Sequence, residues 1–112
     1  AKPIVLEPRN WNKDYKMQNL VVAIFRIKAG KMREATDLLM QILPETRAYE
    51  GCISLQLFLD EETDTYTLIE DWKSLADYNR YVGWRMETGV FDTFDPLIEK
   101  KLFMNKNQSL FL

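Results

Sequence analysis

Apolar positions along the chain alternate between two spacings, and each spacing predicts an element. "NLVVAIFRIKAG" is a β-branched and aromatic run that closes at Gly30, which predicts a strand and a turn. From Lys31 the apolar residues fall at helical spacing: Met32, Ala35, Leu38, Leu39, Ile42, Leu43, with Thr46 at the next core-facing position. Pro44 should kink that helix or end its regular part, and Gly51 punctuates it. "CISLQLFLD" reads as a second strand with Ile53, Leu55, Leu57 and Leu59 on one face and Phe58 on the other. After the polar turn "EETDT" a strand resumes at "YTLIEDW", so the two strands form a hairpin. Ser74 is placed to cap a helix, with Asp77 completing a weak capping box. That helix should run from Leu75 to Val82, with Gly83 interrupting it. "WRMETGVFDTFDPLI" gives a second helical piece broken near Gly89 and Pro96. "EKKLFMN" predicts a last strand, and the apolar end of "KNQSLFL" predicts a tail that docks.

The order is β-α-β-β-α-β, an α+β split βαβ arrangement with an antiparallel four-stranded sheet and helices on one face. Residues 1–18, with Pro3 and Pro8 and little periodicity, predict an extended arm, and 19–112 the folded domain. The apolar content of the strands predicts burial on both sheet faces. A homodimer packed sheet against sheet would provide it.

Composition narrows the chemistry. The 112 residues suffice for one domain, and 46% apolar content supports a core. A net charge of -2 argues against nucleic acid as a partner, and no apolar run approaches the ~20 residues of a membrane span. The six bases of residues 1–30 are too dilute for a nucleic-acid tail. Cys52 is the single cysteine, so no intrachain disulfide forms, and a cytoplasmic location is expected. A start at Ala1 leaves a removed leader and a trimmed start equally open. Histidine is absent, which removes the commonest general base and the commonest neutral metal ligand. No metal and no cofactor is expected.

The candidate chemistry lies in "YTLIEDWKSLADYNRY". At a period of two, Tyr66, Leu68, Glu70 and Trp72 share a strand face. Glu70 reads either as half of a structural ion pair with Arg26, Lys28 or Arg47, or as a carboxylate that orients a substrate hydroxyl or takes its proton. Trp72 reads either as core or as an indole that donates to a substrate and stacks on it. Tyr78 lies on the helical stripe of Leu75 and Val82. Tyr81 carries a phenol of ordinary pKa ~10, a poor base at neutral pH. Arg85 shares the face of Tyr78 if the helix passes through Gly83, where it would stabilise a phenolate or superoxide; the alternative is a surface pair with Glu87 or Asp92. Phe91 and its aromatic and Met neighbours in this segment, which carries Gly83 and Gly89, either fill core or wall a pocket lid. Cys52, with no base to activate it, reads as an inert thiol.

Three pieces, in order, resemble the antibiotic biosynthesis monooxygenase family, which includes quinol monooxygenases. They are "VVAIFRIKAGKMREATDLL", the "TR-x-x-x-GC" exit in "TRAYEGCISLQLFLD", and the aromatic-x-Leu-x-Glu-x-Trp strand end "YTLIEDWKS". They span roughly residues 20–82; residues 83–112 match poorly. The resemblance implies a dimeric α+β barrel of ferredoxin-like topology that oxygenates an aromatic, quinol or polyketide-type molecule without metal, flavin or haem. It implies catalytic, substrate-holding roles for Trp72 and Tyr78; the reading of the residues themselves adds Glu70 as a catalytic candidate and Tyr81, Arg85, Tyr66 and Phe91 as candidate substrate contacts. Tyr78 matches the tyrosine that actinorhodin-type relatives pair with the tryptophan to hold a polycyclic phenol. Tyr81 is the departure, since many members carry histidine nine residues after the tryptophan. That departure also argues against the haem-degrading relatives. Two other readings stay open: a non-catalytic dimeric module that binds a small ligand or a partner chain, and a lactone-type isomerase or hydrolase with Glu70 as base. An open cavity along the Tyr66–Trp72 face would favour ligand chemistry, and closed packing would favour the module.

Overall fold

The computed structural model describes residues 16–111, with side chains for 18–105. Strand β1 is Lys16–Ile27, helix α1 Met32–Ala48, β2 Cys52–Asp60 and β3 Thr65–Trp72. Helix α2 is Leu75–Thr88, the short α3 is Val90–Phe94, a 3-10 turn covers Asp95–Leu97, and β4 is Ile98–Phe111. The sheet order is β2-β3-β1-β4 with every neighbouring pair antiparallel, the ferredoxin-like arrangement of a βαββαβ chain. Residues 1–15 of the expected arm lie outside the described residues, and Lys16 to Gln18 open β1.

Register fixes what faces the helices. Glu70 stands between Val21 and Leu55, Leu68 between Ala23 and Leu57, and Tyr66 between Phe25 and Leu59. Because strand side chains alternate, these rows make one inner face. The main core joins Phe25, Ile27, Leu55 and Tyr66 of the sheet to Ala35, Leu39 and Leu43 of α1, with Phe94 and Leu97 closing the end. A second cluster, Val21, Trp72, Tyr78 and Tyr81, lies where α2 crosses the sheet, with Tyr49 and Trp84 packed against it. Among the described residues no helix is long and apolar enough to cross a membrane.

Four expectations are corrected. Helix α2 passes through Gly83 and ends at Gly89, whose φ of 76° gives the left-handed cap. A solvent-facing glycine costs a helix only about 1 kcal/mol, and the anchors on either side of it, Tyr81 and Arg85, are buried. Of the two outcomes expected at Pro44, ending the helix is the one that does not occur; Pro44 lies on the exposed face of α1, where water can take the carbonyl its missing N–H leaves. The apolar face of β2 is only partly inward: a bulge between Cys52 and Ser54 leaves Ile53 58% exposed, and Leu59 lies at the rim. Strand β4 runs well past Asn105, paired with β1 as far as Phe111.

A close approach joins the turn after α1 to the start of α2. The Lys73 N–H donates to the Gly51 carbonyl at 2.7 Å, and a Cβ at Gly51 would lie 2.5 Å from Asp77 Cβ. Asp77 is held there by the predicted cap, its N–H donating to Ser74 Oγ at 3.0 Å. Gly51 also has φ 95°, where an L side chain is strained. Gly51→Ala should therefore lower the unfolding free energy by more than about 1 kcal/mol, read as a shifted urea midpoint at unchanged slope.

Candidate active site

Between the sheet and the helices lies a cavity of about 290 Å³. Ligand pockets span about 300–1,000 Å³, so this one is at the lower end. Its walls are Val21, Ala23 and Leu68 from the sheet, Leu39, Ile42 and Leu43 from α1, and Tyr78 and Tyr81 from α2. Phe91, Asp95, Lys101 and Met104 also line it, and their exposure marks its mouth between α3 and β4. The polar lining is small: Glu70, Tyr78 and Tyr81 in the depth, and at the mouth Asp95 and Lys101, an exposed pair at 3.5 Å.

Glu70 is 4% exposed, with its carboxylate on the cavity wall. Trp72, two residues on and fully buried behind it, donates its indole N–H to Glu70 Oε1 at 2.8 Å. The two residues point the same way because they are two apart on one strand. Glu70 makes no salt bridge among the described residues: Arg26 is on the other sheet face, and Arg47 donates to the Leu55 carbonyl at 3.1 Å. Burial pushes the Glu70 carboxyl above its ordinary value, against the Trp72 hydrogen bond and the charge of Arg85, which hold it down. The Trp72 ring meets Tyr78 edge-on at 5.6 Å and Tyr81 at 5.2 Å, so it backs both phenols without reaching the cavity.

Tyr81 presents its ring to the cavity, but its hydroxyl is taken by the helices. Arg85 Nε donates to it at 3.0 Å, and Thr46 Oγ1 lies 2.6 Å away. Thr46 Oγ1 is 3.3 Å from the Ile42 carbonyl and accepts from Arg85 Nη2 at 3.2 Å. One assignment satisfies all four contacts: Tyr81 donates to Thr46, and Thr46 donates to Ile42. Arg85 is 1% exposed; Nη2 also donates to the Ile42 carbonyl at 2.7 Å, and Nη1 pairs with Glu45 at 3.2 Å. Trp84 covers its guanidinium at 4.4 Å. Arg85 is thus a clasp from α2 to α1 and not a surface partner of Glu87 or Asp92.

The predicted residues divide accordingly. Glu70, Tyr78, Tyr81 and Phe91 line the cavity. Trp72 and Arg85 stand behind it, and Tyr66 is core, its hydroxyl bonded to Thr36 on α1. Tyr78 keeps its proton through the neutral range: burial, with Glu70 and Tyr81 adding to it, pushes the phenol up to about 12. Burial raises Tyr81 as well. The Cys52 thiol is pushed up to about 11, by burial first and then by Glu70, consistent with an inert thiol. Among the described residues no three His, Cys, Asp or Glu side chains cluster as metal ligands. The sequence reading overlooked Thr46 and the mouth pair Asp95–Lys101. For Thr46 a signal was present, a hydroxyl at a core-facing helical position.

The sequence model described as antibiotic biosynthesis monooxygenase matches residues 20–84, more than half of the chain. Among curated proteins no match is found. Solved structures share the fold. A Shewanella oneidensis protein is 23% identical with a TM-score of 0.73, over 88% of this chain and all 100% of that one. A conserved protein of Methanosarcina mazei Go1 is 21% identical with a TM-score of 0.68, over 85% and 91%. A structure named antibiotic biosynthesis monooxygenase is 18% identical with a TM-score of 0.66, over 83% and 95%. At these identities the likeness is one of fold.

Two measurements test the electrostatics. Tyr81→Phe removes a partner of both Thr46 and Arg85 and should cost about 1–3 kcal/mol of stability in denaturant unfolding. Glu70 binds its proton more tightly folded than unfolded, so the folded state carries more protons between the ordinary and the raised pKa. Stability should fall as pH rises through that window. Glu70→Gln, which keeps an acceptor for Trp72, should flatten the slope in thermal melts across acid to neutral pH.

Proposed function

We propose, for a chain that belongs to the antibiotic biosynthesis monooxygenase family, that it is a homodimeric monooxygenase acting without a bound cofactor on an aromatic, quinol or polyketide-type molecule. The observation that carries this reading is the Glu70 carboxylate, fixed by Trp72 on the wall of a largely apolar cavity. The small volume favours a compact ring system. Glu70 accepts the hydrogen bond of a substrate hydroxyl and takes its proton, a task suited to a carboxylate whose pKa is raised. The phenolate gives one electron to dioxygen, and the resulting pair of radicals joins at a ring carbon. Loss of water leaves one oxygen atom as a new carbonyl and carries off the other. Tyr78, still protonated, stabilises the developing oxyanion, and the apolar wall keeps competing water out. Trp72 is a positioning residue for Glu70. The face of Tyr81 and the ring of Phe91 give stacking surface.

A second reading has one observation in its favour. Where many members carry histidine, this chain has a phenol whose hydroxyl is committed to Thr46 and Arg85. A site without that group also suits a module that holds an aromatic ligand and leaves it unchanged.

Oxygen uptake with a panel of quinols decides between them. The wild type should consume oxygen above background, with an acid limb in kcat/KM above the ordinary carboxylate range. Glu70→Gln should lower kcat about 10²-fold or more, and Trp72→Phe and Tyr78→Phe should also slow it. Binding without uptake would support the module. No uptake and no binding by any quinol, with all variants like wild type, would overturn both.

A further inference from the structure

The cavity is apolar along its length and charged at both ends. Glu70 lies in its depth, and the Asp95–Lys101 pair stands at its mouth. Lys101 is the one cation among the described lining residues. Register puts it there: Lys101 stands opposite Phe25 and shares the inner face, while Lys100 stands opposite Arg26 and shares the outer one. Its hold on Asp95 is loose, a single contact at 3.5 Å between two exposed side chains. Such a pair adds little to stability in water, so the anion of a ligand can take the ammonium from Asp95 easily. The depth is the reverse. A second carboxylate driven in there meets the buried Glu70 carboxylate, in surroundings that screen little. An anionic aromatic molecule therefore enters hydroxyl first and keeps its charge at the mouth.

The sheet sets the distance between the two ends. Glu70 pairs with Val21 and Lys101 with Phe25, four residues further along β1. They lie on the strands either side of β1, so their backbones are about 13 Å apart along the strands and about 10 Å across them, or roughly 16 Å in all. The two side chains take up part of that gap, and a hydrogen bond at each end takes about 3 Å more, which leaves a span of roughly two fused rings. We infer that Lys101 is a specificity-determining residue, and that the site takes fused-ring hydroxyarenes with an acidic group, a carboxylate in the simplest case, at the end opposite the reacting hydroxyl. Glu70 receives the hydroxyl, Lys101 receives the acid, and Asp95 is the competitor that the acid displaces. This inference rests on the reading of Glu70 above and adds the second anchor of the substrate.

Calorimetric binding to the full chain under argon, where no oxygen is consumed, tests it. The probes are 6-hydroxy-2-naphthoic acid and 4-hydroxybenzoic acid, each beside its methyl ester. The wild type should bind the naphthoic acid about tenfold or more tighter than its ester. Lys101→Met should erase that preference and leave the affinity for the ester unchanged. Asp95→Asn should widen it, because the competitor is gone. Added salt should weaken binding of the acid alone. Both positions are exposed, so the variants should fold, and circular dichroism checks that they do. An acid no tighter than its ester, or a preference that survives Lys101→Met, overturns the inference. So does an equal preference in 4-hydroxybenzoic acid, which is too short to reach both ends. Failure of every probe to bind overturns it as well. None of these results bears on oxygen uptake with neutral quinols, so the reading of Glu70 stands or falls on that separate measurement.

Discussion

A carboxylate under a layer of helices must be answered by something, and here the answer comes from its own strand. Trp72 and Glu70 share a face because strands alternate, so the indole N–H reaches the carboxylate without help from any distant element. Much of the site follows. The indole must lie behind the carboxylate, which puts a large ring at the end of β3 and obliges α2 to pack phenols against it. Those phenols and Glu70 become the polar part of the cavity's depth, whose other walls are aliphatic and aromatic. One hydrogen bond does not cancel the desolvation of a carboxylate, and the remainder appears as its raised pKa.

Helix α2 carries the second constraint. Tyr78, Tyr81 and Arg85 recur at helical spacing only if the helix is unbroken, and it is unbroken because the anchors on both sides of Gly83 are buried. Arg85 brings a full charge into that layer and leaves none of its nitrogens unused. Its charge also bears on Glu70 from behind Tyr81, restoring some of the acidity that burial takes from a group it does not touch.

Local pattern made the element order, the hairpin, the Ser74 cap and the Glu70/Trp72 face readable from the sequence, because each depends on neighbours within a few residues. The bulge at Cys52 and the passage of the helices through Pro44 and Gly83 were not readable in this way. Each is decided by packing, which outweighs the local preference of one residue. The site was half legible. Residue types pointed to Glu70, Tyr78 and Trp72, but not to which would reach the cavity. The fate of the Tyr81 hydroxyl depended on Thr46, thirty-five residues earlier, and no spacing rule connects the two.

The Thr46–Tyr81–Arg85 cluster bears on how this sequence can drift. A histidine at position 81 would be too short to meet Thr46 and Arg85 as the phenol does, and would take from Arg85 Nε its acceptor and from Thr46 one of its partners in the helical layer. Reaching a histidine-bearing site from this chain therefore takes coordinated change at 46, 81 and 85, with single steps passing through a less stable protein. Those three positions carry one unit of hereditary information, spread over two helices.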